Sequence, residues 1–168
     1  MQNVTIRLAI PSDASDMAEV LMRSWEAIYK NIMPADYIRE KNATRPALYA
    51  RVITDENTGA YVIQLCGKTV GIMKIAPPIS NDLSDSFYEL HYIYLHPDNF
   101  RMGIGSYAVR FAFRIARILG KTNVIVWCLS ENTNAVKFYE KCGFIADGKK
   151  EINEYGRPME RMRMTKNL

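Results

Sequence analysis

Residues 94–106 read Tyr94-Leu95-His96-Pro97-Asp98-Asn99-Phe100-Arg101-Met102-Gly103-Ile104-Gly105-Ser106. A strand stops at Pro97, a short loop crosses, and a helix opens on Gly-x-Gly. The first backbone N–H groups of a helix have no partner within it and carry the positive end of its dipole, so such a turn receives anions. Glycines there remove the Cβ atoms that would hold a diphosphate off those donors. The same glycines also suit a tight loop and close helix packing. A dinucleotide fingerprint is excluded: position 108 is Ala where a third glycine is needed, the motif sits late in the chain, and no acidic residue is suitably placed after it. A Walker-type G-x-x-x-x-G-K is absent as well.

Upstream, residues 87–96 (FYELHYIYLH) form a long aromatic strand. Downstream, 103–119 predicts a helix with Ala108, Phe111, Ile115 and Ile118/Leu119 inward, and Arg110, Arg114, Arg117 and Lys121 on a solvated face. Gly120 ends it, and the almost wholly apolar 123–128 (NVIVWC) suits a strand covered on both faces. Asn132 can then cap a short helix over 132–141, closed by Gly143, in which Ala135 and Tyr139 share one face.

Further out, 3–10 (NVTIRLAI) is a strand stopped by Pro11. Ser12 or Asp13 can cap a helix carrying Met17, Leu21, Trp25 and Ile28 at helical spacing. Short helices are expected over 35–40 and 45–53, the second ending before Asn57-Thr58-Gly59. Strands 60–66 and 69–76 are joined by Gly67-Lys68. Residues 77–86 form a loop, and two last strands start at Phe144 and Met159. The order is mixed α/β in a single domain, 1–168, with no repeats and no linker.

Composition excludes several classes. The chain has 168 residues, 48% hydrophobic and 24% charged, as an ordinary globular domain does. A net charge of +4 is too small to argue for nucleic acid and suits a polyanionic ligand. Cys66, Cys128 and Cys142 show neither metal spacing nor an even disulfide framework, which points to a reducing cytoplasm and no metal. The start MQNVTIRLAIPSDAS does not read as a signal peptide, and no apolar run approaches the ~20 residues of a membrane helix.

Taken together, the turn Arg/Gln-x-x-Gly-x-Gly/Ala, the downstream Asn132-x-x-Ala135-x-x-x-Tyr139 with Gly143-Phe144, their spacing and the element order resemble the GNAT superfamily of acetyl-CoA-dependent N-acetyltransferases. The resemblance covers nearly the whole chain and is strongest over 85–145. Residues Trp25 to Pro34 also resemble the first helix and turn of bacterial small-molecule members. One position departs: the family's Arg/Gln falls on Phe100, with Arg101 one place on, so any side-chain contact to phosphate passes to Arg101.

The resemblance implies a mostly antiparallel seven-stranded sheet with one splayed strand pair and four or five helices. It implies acetyl-CoA as co-substrate: the pantetheine arm along Ile93, Tyr94 and Leu95, the diphosphate on the amides of Arg101, Met102, Gly103, Ile104, Gly105 and Ser106, and Asn132, Ala135 and Tyr139 on the other side. The chemistry would be direct attack of a primary amine on the thioester, with a backbone N–H near Leu95 as oxyanion donor. Glu89, fourteen residues before Gly103, is where some members place a catalytic base, with His91 as substitute. Tyr139 sits where members carry the acid for the leaving thiolate. His96, beside Pro97, reads as structural. An acyl-cysteine route through Cys128 or Cys142 is disfavoured, since neither has a base or orienting acid near it in sequence. The acceptor pocket would draw on Trp25, Tyr29, Tyr37 and Tyr155, aromatic side chains that suit a cationic amine. A small-molecule amine is the favoured acceptor. The alternatives are protein N-termini or lysines, or a non-catalytic CoA-binding domain. A homodimer is compatible with the family.

Overall fold

The computed structural model describes residues 3–54 and 59–168; Asn57 and Thr58 of the expected turn lie outside them. Seven strands, β1 (Val4–Leu8), β2 (Ala60–Leu65), β3 (Lys68–Ala76), β4 (Phe87–Leu95), β5 (Asn123–Leu129), β6 (Ile145–Glu154) and β7 (Pro158–Asn167), form one sheet in the order β1-β2-β3-β4-β5-β7-β6. Four α-helices are α1 (Ala14–Tyr29), α2 (Ala35–Val52), α3 (Ile104–Ile118) and α4 (Thr133–Lys141). Every neighbouring pair of strands is antiparallel except β4 and β5. That one parallel pair is a consequence of α3, which crosses between the strands it joins. One buried cluster packs α3 and α4 on the sheet around Leu90, Val109, Phe113 and Phe144; another packs α1 and α2 around Met17, Tyr49, Val62 and Ile72. Among the described residues no helix is long and apolar enough to cross a membrane.

Several local expectations shift. The β2–β3 turn is Cys66-Gly67, one residue earlier than expected; both are left-handed (φ 51° and 81°), as a two-residue hairpin requires. Asp13 starts α1 without capping it. Its carboxylate is taken by Arg7 (2.7 and 2.8 Å) and by the Ile10 N–H (2.8 Å), which fastens β1 to the helix start. The two short helices over 35–53 are one, α2, running through Pro46. Pro46 faces solvent, and the stripe Ile38, Asn42, Arg45 and Tyr49 buries both halves on one side, so tertiary packing outweighs the missing hydrogen bond. On α3 the inward stripe is Ile104, Ala108, Val109, Ala112, Phe113 and Ala116. At 100° per residue this turns Ile118 outward (76% exposed), and Leu119 lies past the last turn.

β4 carries a bulge. Lys74 pairs with Tyr92 but Ile75 pairs with Leu90, so His91 is the extra residue. The side-chain phase flips there: Tyr88 and Leu90 share the α3 cluster with Ile93 and Leu95, while Tyr92 and Tyr94 join the α1 cluster.

Candidate active site

β4 and β5 pair only from Phe87 to Glu89 against Asn123 to Ile125. Beyond that, β5 is held by β7 through Leu129 and β4 by β3 through Leu95, so the two strands diverge with no pairing between them. Ile93, Tyr94 and Leu95 line one side of this V, and the turn into α3 lies at its mouth. Pro97 to Asn99 form a short 3-10 helix whose Asp98 N–H is accepted by His96 Nδ1 (3.4 Å), which gives His96 the structural role expected of it. Arg101 and Gly103 are both left-handed (φ 62° and 78°). The Phe100 N–H is bonded to Pro97 O and that of Tyr107 to Gly103 O, but the amides of residues 101–106 find no acceptor among the described residues. Successive free N–H groups in such a turn form a concave anion site. Gly103 is required by its left-handed φ. Gly105 answers to packing: a Cβ there would come within 3.2 Å of the Phe138 ring. The side chains of Phe100, Arg101 and Met102 are exposed.

Across the V, the Asn132 side chain caps α4 by accepting the Ala135 N–H (3.2 Å), and it also bears on the Tyr29 hydroxyl. Tyr139 is buried and packs edge-on against Phe144. Its hydroxyl makes no hydrogen bond among the described residues. Burial, then Cys128 and Tyr94 nearby, push its pKa well above the ordinary tyrosine value, so it stays protonated. Burial also pushes the Cys128 thiol up to about 11 and raises Cys142, which makes both poor nucleophiles at neutral pH.

Glu89 is buried at the fork of the V. Its Oε2 accepts the Ile79 N–H (3.2 Å) and its Oε1 lies 3.6 Å from His91 Nδ1. His91 Nε2 donates to the Pro77 carbonyl (3.2 Å), so Nδ1 is the nitrogen turned to the carboxylate. The loop 77–79 thus orients both side chains, through the Ile79 N–H on Glu89 and the Pro77 carbonyl on His91.

The four acceptor-side residues converge. Trp25, Tyr29, Tyr37 and Tyr155 surround a small core of Met33, Ile38, Leu129 and Met159. Trp25 stands edge-on to Tyr29 (5.2 Å between centroids) and Tyr37 to Tyr155 (6.4 Å). The Tyr29 and Tyr94 hydroxyls are 3.5 Å apart, and burial raises both. The indole N–H of Trp25 lies near Tyr94 but makes no hydrogen bond. Arg157 draws the β6–β7 turn to the α1–α2 turn, donating to Ile32 O (2.9 Å) and Glu131 (2.7 Å). Two ring faces are already taken by cations, Trp25 by Arg45 (3.8 Å) and Tyr37 by Lys41 (5.2 Å). Sequence reasoning missed Arg45 and Asn42. The signal was the spacing 38, 42, 45, 49, a helical stripe half of which is polar.

The sequence model of the Acetyltransferase (GNAT) family matches residues 17–144. An uncharacterized N-acetyltransferase of Methanocaldococcus jannaschii is 28% identical over 145 residues; the match takes in 86% of this chain and 62% of that protein, so this chain spans less than two-thirds of that relative's length. PaiA N-acetyltransferase of Thermoplasma acidophilum, solved in complex with coenzyme A, superposes with a TM-score of 0.75 over 98% of this chain and 99% of its own, at 20% identity. YncA of Salmonella typhimurium, solved with its cofactor acetyl-CoA, does so with a TM-score of 0.68 over 99% and 95%, at 19% identity.

Proposed function

The chain belongs to the GNAT family of acetyltransferases, and on that footing we propose that residues 1–168 act as one N-acetyltransferase domain that moves an acetyl group from acetyl-CoA to a primary amine in a ternary complex. The observation that carries the reading is the V between β4 and β5 beside a turn whose amides, 101–106, have no acceptor of their own. That combination fits a ligand with an extended amide-bearing arm and a diphosphate, and the two neighbours solved with coenzyme A or acetyl-CoA share the fold.

Bound acetyl-CoA supplies the thioester. The protein's part is assigned as follows. The amides of Arg101 to Ser106 hold the diphosphate, with the Arg101 side chain in the place of the residue that Phe100 does not provide. The open edge of β4 at Ile93 to Leu95 pairs with the arm, Asn132 approaches from the other side, and the small Ala135 leaves room. Glu89 takes a proton from the amine, directly or through a water, and His91 Nδ1 shares it. Tyr139 offers its O–H to the leaving sulfur. Its raised pKa makes that a hydrogen bond that stabilises the thiolate. Trp25, Tyr29, Tyr37 and Tyr155, half-buried and packed together, line the acceptor side, and a small-molecule amine is the favoured acceptor.

A thiol-release assay with acetyl-CoA and a panel of amines and peptides tests this. Turnover on free amines is expected. Turnover on peptides alone would move the acceptor to proteins, and acetyl-CoA binding without any turnover would leave a binding domain only.

A further inference from the structure

Arg45 is the anomaly of the buried stripe on α2. It is 5% exposed and stacked on Trp25, and its Nη1 donates to Leu21 O (3.3 Å) and Asn42 Oδ1 (2.5 Å). Buried charges are as a rule neutralised by a partner of opposite sign. Here no carboxylate among the described residues reaches the guanidinium. Glu26 stops at Asn42 Nδ2 (3.2 Å), Glu40 and Glu154 bear on Tyr37, and Glu131 is taken by Arg157. A guanidinium has five donors in a planar fork, and only those on Nη1 are spent.

Trp25, the ring partner of Arg45, stands edge-on to Tyr29, whose hydroxyl lies 3.5 Å from that of Tyr94. Tyr94 belongs to the stretch of β4 that lines the V. Through Trp25, Arg45 therefore borders the aromatic cluster on the acceptor side. Lys41, on the Tyr37 ring, adds a second positive charge to it. Arg45 itself is left without an anionic partner among the described residues.

Building on the acetyl-transfer reading, we propose that Arg45 anchors a carboxylate carried by the acceptor, so that the substrate is an amino-acid-like molecule with its amine toward Glu89 and its carboxylate on the Nε–Nη2 edge of Arg45. A carboxylate matches that fork in two parallel hydrogen bonds, and the tyrosine hydroxyls supply further donors. Arg45 is then a specificity residue, and the cost of burying it is offset when substrate binds.

The test compares matched acceptors, amino acids against their amides and decarboxylated amines, in thiol release from acetyl-CoA and in calorimetric binding, with wild type, Arg45→Gln and Arg45→Lys. Acids are expected to exceed amides at least tenfold in kcat/KM, on the order of a hundredfold, mainly through KM. Arg45→Gln is expected to remove that discrimination without changing the KM for acetyl-CoA, and Arg45→Lys to keep part of it. If Arg45→Gln fails to fold, the wild-type panel and the lysine variant still decide. Turnover indifferent to the carboxylate would overturn the anchor and leave acetyl transfer standing. Absence of turnover on every amine would remove the acetyl-transfer reading, while calorimetry that shows acids bound no better than amides would separately overturn the anchor.

Discussion

Across the V, one wall of the site is main chain and the other is side chain. The turn into α3 meets its ligand with amides 101–106, positions at which Phe100, Arg101 and Met102 point their side chains to solvent. The side chains proposed to act are Glu89 and His91 at the start of β4, Tyr139 across the V on α4, and Arg45 with the aromatic residues of α1 and α2, each fixed by its own contacts. Backbone recognition depends on conformation, so it tolerates a change such as Phe100 where relatives carry Arg or Gln. Side-chain recognition depends on identity, so it records the acceptor and the chemistry of one particular enzyme.

Substitutions can break that contrast, and the largest effects belong on the side-chain wall. Glu89→Gln keeps an acceptor for the Ile79 N–H and removes the base; kcat/KM is expected to fall by ~10²–10³, measured at constant acetyl-CoA saturation. A loss of less than threefold would assign the base elsewhere. Tyr139→Phe is expected to lower kcat by about tenfold or more, with the KM for acetyl-CoA almost unchanged. The sign of its pKa displacement adds a second check: a raised value keeps the hydroxyl protonated, so wild-type kcat should show no alkaline loss below about pH 10. An alkaline limb that disappears in Tyr139→Phe would contradict this.

The main-chain wall should respond to conformation alone. Gly103→Ala forces a Cβ into a left-handed residue and is expected to cost ~1 kcal/mol of stability and to weaken acetyl-CoA binding several-fold, read by thermal melting and by KM. Arg101→Gly, two residues away, is the smallest effect and has the opposite sign in stability. It relieves a non-glycine held at φ 62°, gaining up to ~1 kcal/mol, while it weakens acetyl-CoA binding about two- to five-fold at low salt and less at high salt. If Arg101→Gly matched Glu89→Gln in damage, the contrast between the two walls would fail.

The same contrast explains what could be read from the chain. The strands, α3, α4 and the turn before α3 are legible because they rest on local signals: alternation, Pro97, Gly103, Asn132 and Gly143. The inward face of α3 was misread at its end because Ala108, Ala112 and Ala116 set it, and small residues leave a weak periodic signal. The helices expected over 35–40 and 45–53 are one because the stripe Ile38, Asn42, Arg45 and Tyr49 packs on one side across residues 41–44, a long-range effect that local signals do not carry. Arg45 and Asn42 were passed over because polar residues are assigned outward unless a partner is known. The partners are the Leu21 carbonyl and the Trp25 ring, 24 and 20 residues away in sequence. Gly103 in the turn and Asn132, which caps α4 through the Ala135 N–H, are where their local signals put them.

The extra residue in β4 has a consequence for how this protein can vary. His91 takes up the phase change that sends Leu90 and Ile93 to one layer of helices and Tyr92 and Tyr94 to the other. Replacing it is a local event, and removing it joins Leu90 to Tyr92, which already pair with the consecutive residues Ile75 and Lys74 and face opposite layers, so the ladder becomes regular and every side chain keeps its layer. A protein with His91→Ala and one with His91 deleted should therefore both give a folded circular dichroism spectrum, so a bulge lost from this strand costs the side chain beside Glu89 and not the fold.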